Sequence, residues 1–221
     1  MEPLLGIEPE SVEANSSAMR RVEIAPLGPG RLTVTSQVNR VDWSWQPAEE
    51  SIPDVHLGMP DEAIEQLMQL LCAWIHAQKD VVRVALGGVF GVRVETREEG
   101  YSVLDELIPE LKLDASSSEF IYQINRPLAL EGFEGLSVLN RIEKWSCRRA
   151  FSNVFALSNT GEVRVLPEAQ EIAIHAACEL DFNTDAQNTQ FLGPDLIERV
   201  LKKSKEQALI LLDRNGVMTH V

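Results

Sequence analysis

Three copies of an Asn-Arg dipeptide lie in or beside stretches that read as strands: Asn39-Arg40, Asn125-Arg126 and Asn140-Arg141. Val38-Asn39-Arg40-Val41-Asp42-Trp43 matches Leu139-Asn140-Arg141-Ile142-Glu143-Lys144-Trp145 apart from one extra residue before the tryptophan. An arginine in an apolar strand has two uses. It pairs with an acid inside the fold while asparagine satisfies neighbouring backbone, or it presents its planar donor fork to a partner. The second use makes Asn125, Arg126, Asn140, Arg141 and Trp145 a partner-binding patch. The first makes them scaffold, with the arginine stems packed beside the indole.

Other residues with chemical potential are less well placed. His175, Glu179 and Asp181 share one face of a predicted strand. Positions i and i+4 on a strand are about 13 Å apart, however, too far for one ion to be held by both. Glu110-Leu111-Lys112 has the ExK spacing of metal-dependent nucleases, but it follows Pro109 at a helix end instead of lying on a core strand. Gly87-Gly88-Val89-Phe90-Gly91 lacks the fingerprint of a dinucleotide site or a P-loop and does not lead directly into a helix. Its glycines read as a bend or a close backbone approach within a sheet. His76 has no partner histidine or carboxylate at a ligand spacing and reads as a helix-end surface residue. Cys72, Cys147 and Cys178 are far apart and odd in number, which suits buried reduced thiols better than a disulfide framework or a zinc site. No cofactor is implied and no nucleophile, base and orienting group stand together, so the pattern favours a protein that binds over one that catalyses.

Charge narrows the class of partner. The formal net charge of −14 produces a field that repels phosphate backbones, so direct nucleic-acid binding is not expected. Two basic clusters, Arg141/Lys144/Arg148/Arg149 and Lys202/Lys203/Lys205, are read as solvated faces, with contact to an anion as the alternative. The chain opens MEPLLGIEPE without a basic leader, and no apolar run approaches the roughly 18 residues of a membrane span. A cytoplasmic protein without membrane association is expected.

The elements that must position these residues follow from periodicity. Residues 1–30 contain five glutamates and the turn-rich Pro26-Leu27-Gly28-Pro29-Gly30, a composition expected to give a flexible acidic arm with at most a short strand near Arg21 to Ile24. Residues 31–221 are expected to form a single α+β domain. Leu32 to Asn39 alternates as a strand. Pro60 opens an amphipathic helix through Ile64, Leu67, Met68, Leu71, Trp74 and Ile75, which must pack on a sheet. Val81 to Glu95 reads as a long strand. Thr96 and Glu99 form a capping box for a helix stopped by Pro109. Strands follow through Phe120–Ile124, Val138–Trp145, Phe151–Leu157 and Val163–Leu166. Then comes the alternation of Ile172, Ile174, Ala176, Cys178, Leu180 and Phe182 against Glu171, His175, Glu179 and Asp181. Pro194 to Asp213 makes the last amphipathic helix. Consecutive strands predict an antiparallel or mixed sheet covered by helices on one face.

The FIYQINRP and LNRIEKW segments resemble a poorly characterised group of bacterial proteins of similar length over residues 83–149. That resemblance implies no activity or catalytic residues. The predicted sheet with packed helices is similar to the SecB-type chaperone architecture. Taken together, these features give the expectation of a non-catalytic component that binds a protein partner or a second copy of itself, in the manner of a chaperone, an antitoxin or a phage-defence accessory subunit. The alternative is an enzyme with an unrecognised site, possibly metal-dependent.

Overall fold

A computed structural model describes residues 7–48, 56–114, 116–152, 155–157, 163–165, 170–214 and 217. The chain separates into two compact units, Met1–Lys79 and Asp80–Val221. Among the described residues all strand pairings are antiparallel, and with three helices the fold is α+β.

The first unit is a meander of four strands, β1 (Ser11–Asn15), β2 (Arg20–Leu27), β3 (Gly30–Gln37) and β4 (Arg40–Pro47), paired in chain order. It is followed by α1 (Pro60–Ile75), which begins at the proline and carries Asp61 and Glu62 against the positive end of its dipole. The helix packs on a sheet as expected: the Trp74 ring meets Trp43 of β4 edge-on, with centroids 5.6 Å apart. The expectation of a loose arm to residue 30, followed by one domain, differs from this division. Residues 11–27 supply two of the four strands, and within β2 Val22 and Ala25 are buried while Glu23 and Ile24 between them are half-buried. All five residues of β1 are exposed, which is why composition alone made the segment look unstructured. At Gly30 a Cβ would collide with the Gln46 carbonyl, so this hairpin end admits only glycine.

The second unit is built on a sheet in the order β5 (Ala85–Val94), β11 (Gln170–Thr184), β8 (Val138–Ser152) and β6 (Ile121–Asn125), with β7 (Leu128–Ala129) also paired to β8. Separately, β9 (Phe155–Leu157) pairs antiparallel with β10 (Val163–Val165). The two central strands have 15 residues each, and β8 continues without a break where the sequence suggested two strands. Ile174, Ala176, Cys178, Leu180 and Phe182 of β11 are buried on one face, together with Leu139, Glu143 and Trp145 of β8. Two helices cover that face. One is α2 (Arg97–Leu107), which lies so close that a Cβ on Gly100 would stand 2.8 Å from Cys147 Sγ. The other is α3 (Pro194–Arg214), which buries Ile197, Val200, Leu201, Ala208, Leu211 and Leu212. The expected hydrophobic alternation and helix coverage are thus both present. Close backbone approach also accounts for one glycine of β5: a Cβ on Gly87 would sit 2.8 Å from the Leu180 carbonyl oxygen.

Candidate functional site

Sequence reasoning directed attention to Asn125, Arg126, Asn140, Arg141 and Trp145, and the pairing of β6 with β8 brings all five into one region. Asn125 stands opposite Ile142, and the Arg126 N–H donates to the Arg141 carbonyl at 2.8 Å. Strand alternation then divides them between the two faces. Asn125 and Asn140 face away from the helices. Arg126, Arg141 and Trp145 share the helix-covered face with Glu143.

On the covered face the organising group is the Glu143 carboxylate, which is 3% exposed. Arg126 Nη1 donates to Glu143 Oε1 at 2.9 Å across the strands. Arg141 Nε lies 3.9 Å from the same oxygen, two residues back along β8, while its Nη1 donates to Gln207 Oε1 of α3 at 3.2 Å. A charge this deep is tolerated only when it is paired. Burial opposes the charge on Arg126, but the attraction of Glu143 outweighs it and raises the arginine pKa above its ordinary value. Trp145 is 2% exposed and belongs to the core beside this cluster. The cavity between Glu143, Tyr122, Arg126 and Arg214 has a volume of about 20 Å³, enough for one water molecule but not for a substrate. The cluster therefore joins two strands and a helix electrostatically.

Asn39-Arg40 is explained by the same device. Arg40 Nε lies 2.6 Å from Asp42 Oδ1, and Arg21 Nη2 lies 2.6 Å from Glu23 Oε1. Residues i and i+2 of a strand share a face, so Arg-x-acid forms an ion pair along one strand. The Arg-x-acid spacing is present in the sequence itself, at Arg21-Val22-Glu23 and Arg40-Val41-Asp42.

On the opposite face the asparagines form a polar row. Asn125 Nδ2 donates to Asn140 Oδ1, Asn140 Nδ2 donates to Asn183 Oδ1, and Asn183 Nδ2 donates to Asp181 Oδ1, at 3.1, 3.1 and 3.0 Å. Further along this face Glu179 accepts from Lys144 at 3.3 Å and from Arg148. His175 is half-buried. Its pKa is lowered, first by burial and then by the neighbouring Arg93 guanidinium. The candidate row His175, Glu179 and Asp181 is thereby divided: Glu179 is committed to cations and Asp181 to an amide. Among the described residues no three His, Cys, Asp or Glu side chains gather at a metal-binding distance. Burial and the nearby carboxylates of Glu143 and Glu179 push the Cys178 thiol well up, away from reactivity.

Two surface features escaped sequence reading. A cleft of about 310 Å³ opens beside β8 where β6 begins. In addition, β5 is an edge strand, paired to β11 on one side only among the described residues. No described helix is long and apolar enough to cross a membrane. Comparison of the chain with protein-family models, curated proteins and solved structures finds no match.

Proposed function

We propose that this chain is a non-catalytic interaction component that takes a protein partner by strand addition to β5. The reading rests on one observation: from Ala85 to Val92 the edge strand carries neither a charge nor a proline. Natural sheet edges are ordinarily protected by lysine, proline or a covering element, because an open edge is a template for another strand. Register fixes which groups are offered. The Thr184 N–H donates to the Val84 carbonyl at 3.0 Å, so alternate residues from Val84 direct their backbone groups to β11. Ala85, Gly87, Val89 and Gly91 therefore direct theirs outward. Val89 is 55% exposed on this strip. A partner strand would gain main-chain hydrogen bonds along it, with specificity supplied by the side chains flanking the edge.

The test uses Val89→Pro. Residue 89 gives no N–H to β11, so proline removes an outward donor without removing a ladder bond, and edge strands accept proline at such positions. Cross-linking with mass spectrometry identifies the segment held against β5 in material purified with the native protein. The variant should keep its circular dichroism spectrum and lose that segment. Recovery of the same partner with the folded variant would refute strand addition at β5.

A further inference from the structure

We propose, taking strand addition at β5 as given, that the added strand is β5 of a second copy of this chain, antiparallel about a two-fold axis at Val89. A two-fold contact requires a surface that complements itself. The outward backbone groups belong to odd-numbered residues, so the two strands exchange main-chain bonds only in registers that oppose odd positions. The register centred on Val89 sets Val89 against its own copy, Gly87 against Gly91 and Ala85 against Arg93. Val89 is exposed on the sheet face away from the helices, beside Glu179 of β11, and gains a β-branched neighbour across the junction. On the other face Phe90 comes opposite Gly88 of the second copy, which has no side chain to obstruct the ring.

The charges at the ends of the strand choose between registers. Arg83 and Glu95 stand just beyond β5 on either side, and both are exposed. With Val89 at the centre, Arg83 of each copy lies opposite Glu95 of the other, giving two pairs of opposite charge by symmetry. Slipping one strand by two residues either sets Arg83 against Arg93 or leaves Glu95 opposite Ala85. Of these three registers only the centred one matches charge at both ends.

Both end groups are uncommitted to other charges. Arg83 donates to the neutral Asn183 Oδ1 at 3.4 Å, at the long end for a hydrogen bond, and among the described residues neither Arg83 nor Glu95 enters an ion pair. A second copy brings base and acid at the required spacing by construction. The formal charge of −14 on each copy opposes association at long range, but at about 0.15 M salt the screening length falls to roughly 8 Å and contacts at the junction dominate.

Sedimentation equilibrium of the full chain at tens of micromolar protein and about 0.15 M salt should give twice the 24.6 kDa of one chain. Arg83→Glu and Glu95→Arg each turn both end pairs from attraction to repulsion and should weaken self-association about tenfold. An equimolar mixture of the two variants should regain it, since every end pair then joins a glutamate to an arginine. Val89→Pro removes the central pair of bonds and should be monomeric, and circular dichroism separates lost association from lost fold. A monomeric native chain would overturn self-pairing while leaving strand addition to be decided by the segment that co-purifies. A dimer that persists in folded Val89→Pro, or a mixture of folded charge variants that associates no better than its components, would also overturn the assignment.

Discussion

Arg126 Nη1 donates to Glu143 Oε1 at 2.9 Å, so a guanidinium immediately after β6 neutralises a carboxylate enclosed on β8. The pair joins two strands that are separated by a loop with turns at Gly132 and Gly135, both at positive φ. Removing the carboxylate leaves Arg141, whose side chain is 19% exposed, without its counter-ion. Breaking a buried pair from one side costs about 3–5 kcal/mol. Arg126 remains 36% exposed and can hydrate, so Glu143→Ala should cost about 3 kcal/mol, the lower end of that range. Urea denaturation measures it, and a loss under about 1 kcal/mol would mean the pair is not coupled to folding.

The two faces of β11 predict opposite sensitivities. Ile174 is 7% exposed, and Ile174→Ala should cost about 2–5 kcal/mol through lost burial and the cavity left behind. Glu179 bridges Lys144 and Arg148, but its side chain is 40% exposed. Glu179→Ala should therefore cost about 1 kcal/mol or less. Chemical denaturation of both variants checks the register, since equal effects are incompatible with it.

His175 should titrate below its ordinary value of 6.5 in a proton NMR experiment, because burial first and Arg93 second disfavour the imidazolium. The unfolded chain then binds a proton more readily than the folded one. Its contribution to stability is full above the unfolded pKa and declines as pH falls from about 6.5 through the folded value. Since burial is the larger cause, Arg93→Gln should raise the folded pKa without restoring it fully. A folded pKa above 6.5 would contradict the placement of the ring.

Thr96 caps α2 by accepting the Glu99 N–H at 3.1 Å, while Glu99 Oε2 accepts the Glu95 N–H at 2.8 Å. The reciprocal contact thus reaches one residue further back than an ideal capping box. Thr96→Ala should cost about 1 kcal/mol, and Thr96→Ser should recover most of it. Thermal denaturation of the two variants distinguishes a lost cap from a lost methyl contact.

Periodicity made most elements legible. Pro60 and Thr96 marked helix starts that the structure places at Pro60 and Arg97, and the alternation through Ile174 to Phe182 identified the buried face of β11. Polar strands such as β1 were not legible, because their pairing is satisfied by backbone and leaves little apolar pattern. The site was legible only as a cluster of residues near one another. Chain order cannot tell that Arg126 meets Glu143 from 17 residues away. The Arg-x-acid spacing at Arg21, Arg40 and Arg141 is a local signal of internal pairing that the Asn-Arg pattern does not express.

The four tryptophans are divided unequally between the two compact units: Trp43, Trp45 and Trp74 lie in the first and Trp145 in the second. Because the indoles of Trp43 and Trp74 are 5.6 Å apart and inclined at 61°, their electronic transitions couple. Near-ultraviolet dichroism therefore carries a signature of the first unit, while the enclosed Trp145 supplies an emission change for the second. A Trp145→Phe variant isolates the first signal. One unmodified polypeptide thus contains two built-in optical reporters, able to resolve whether its halves melt together or in sequence.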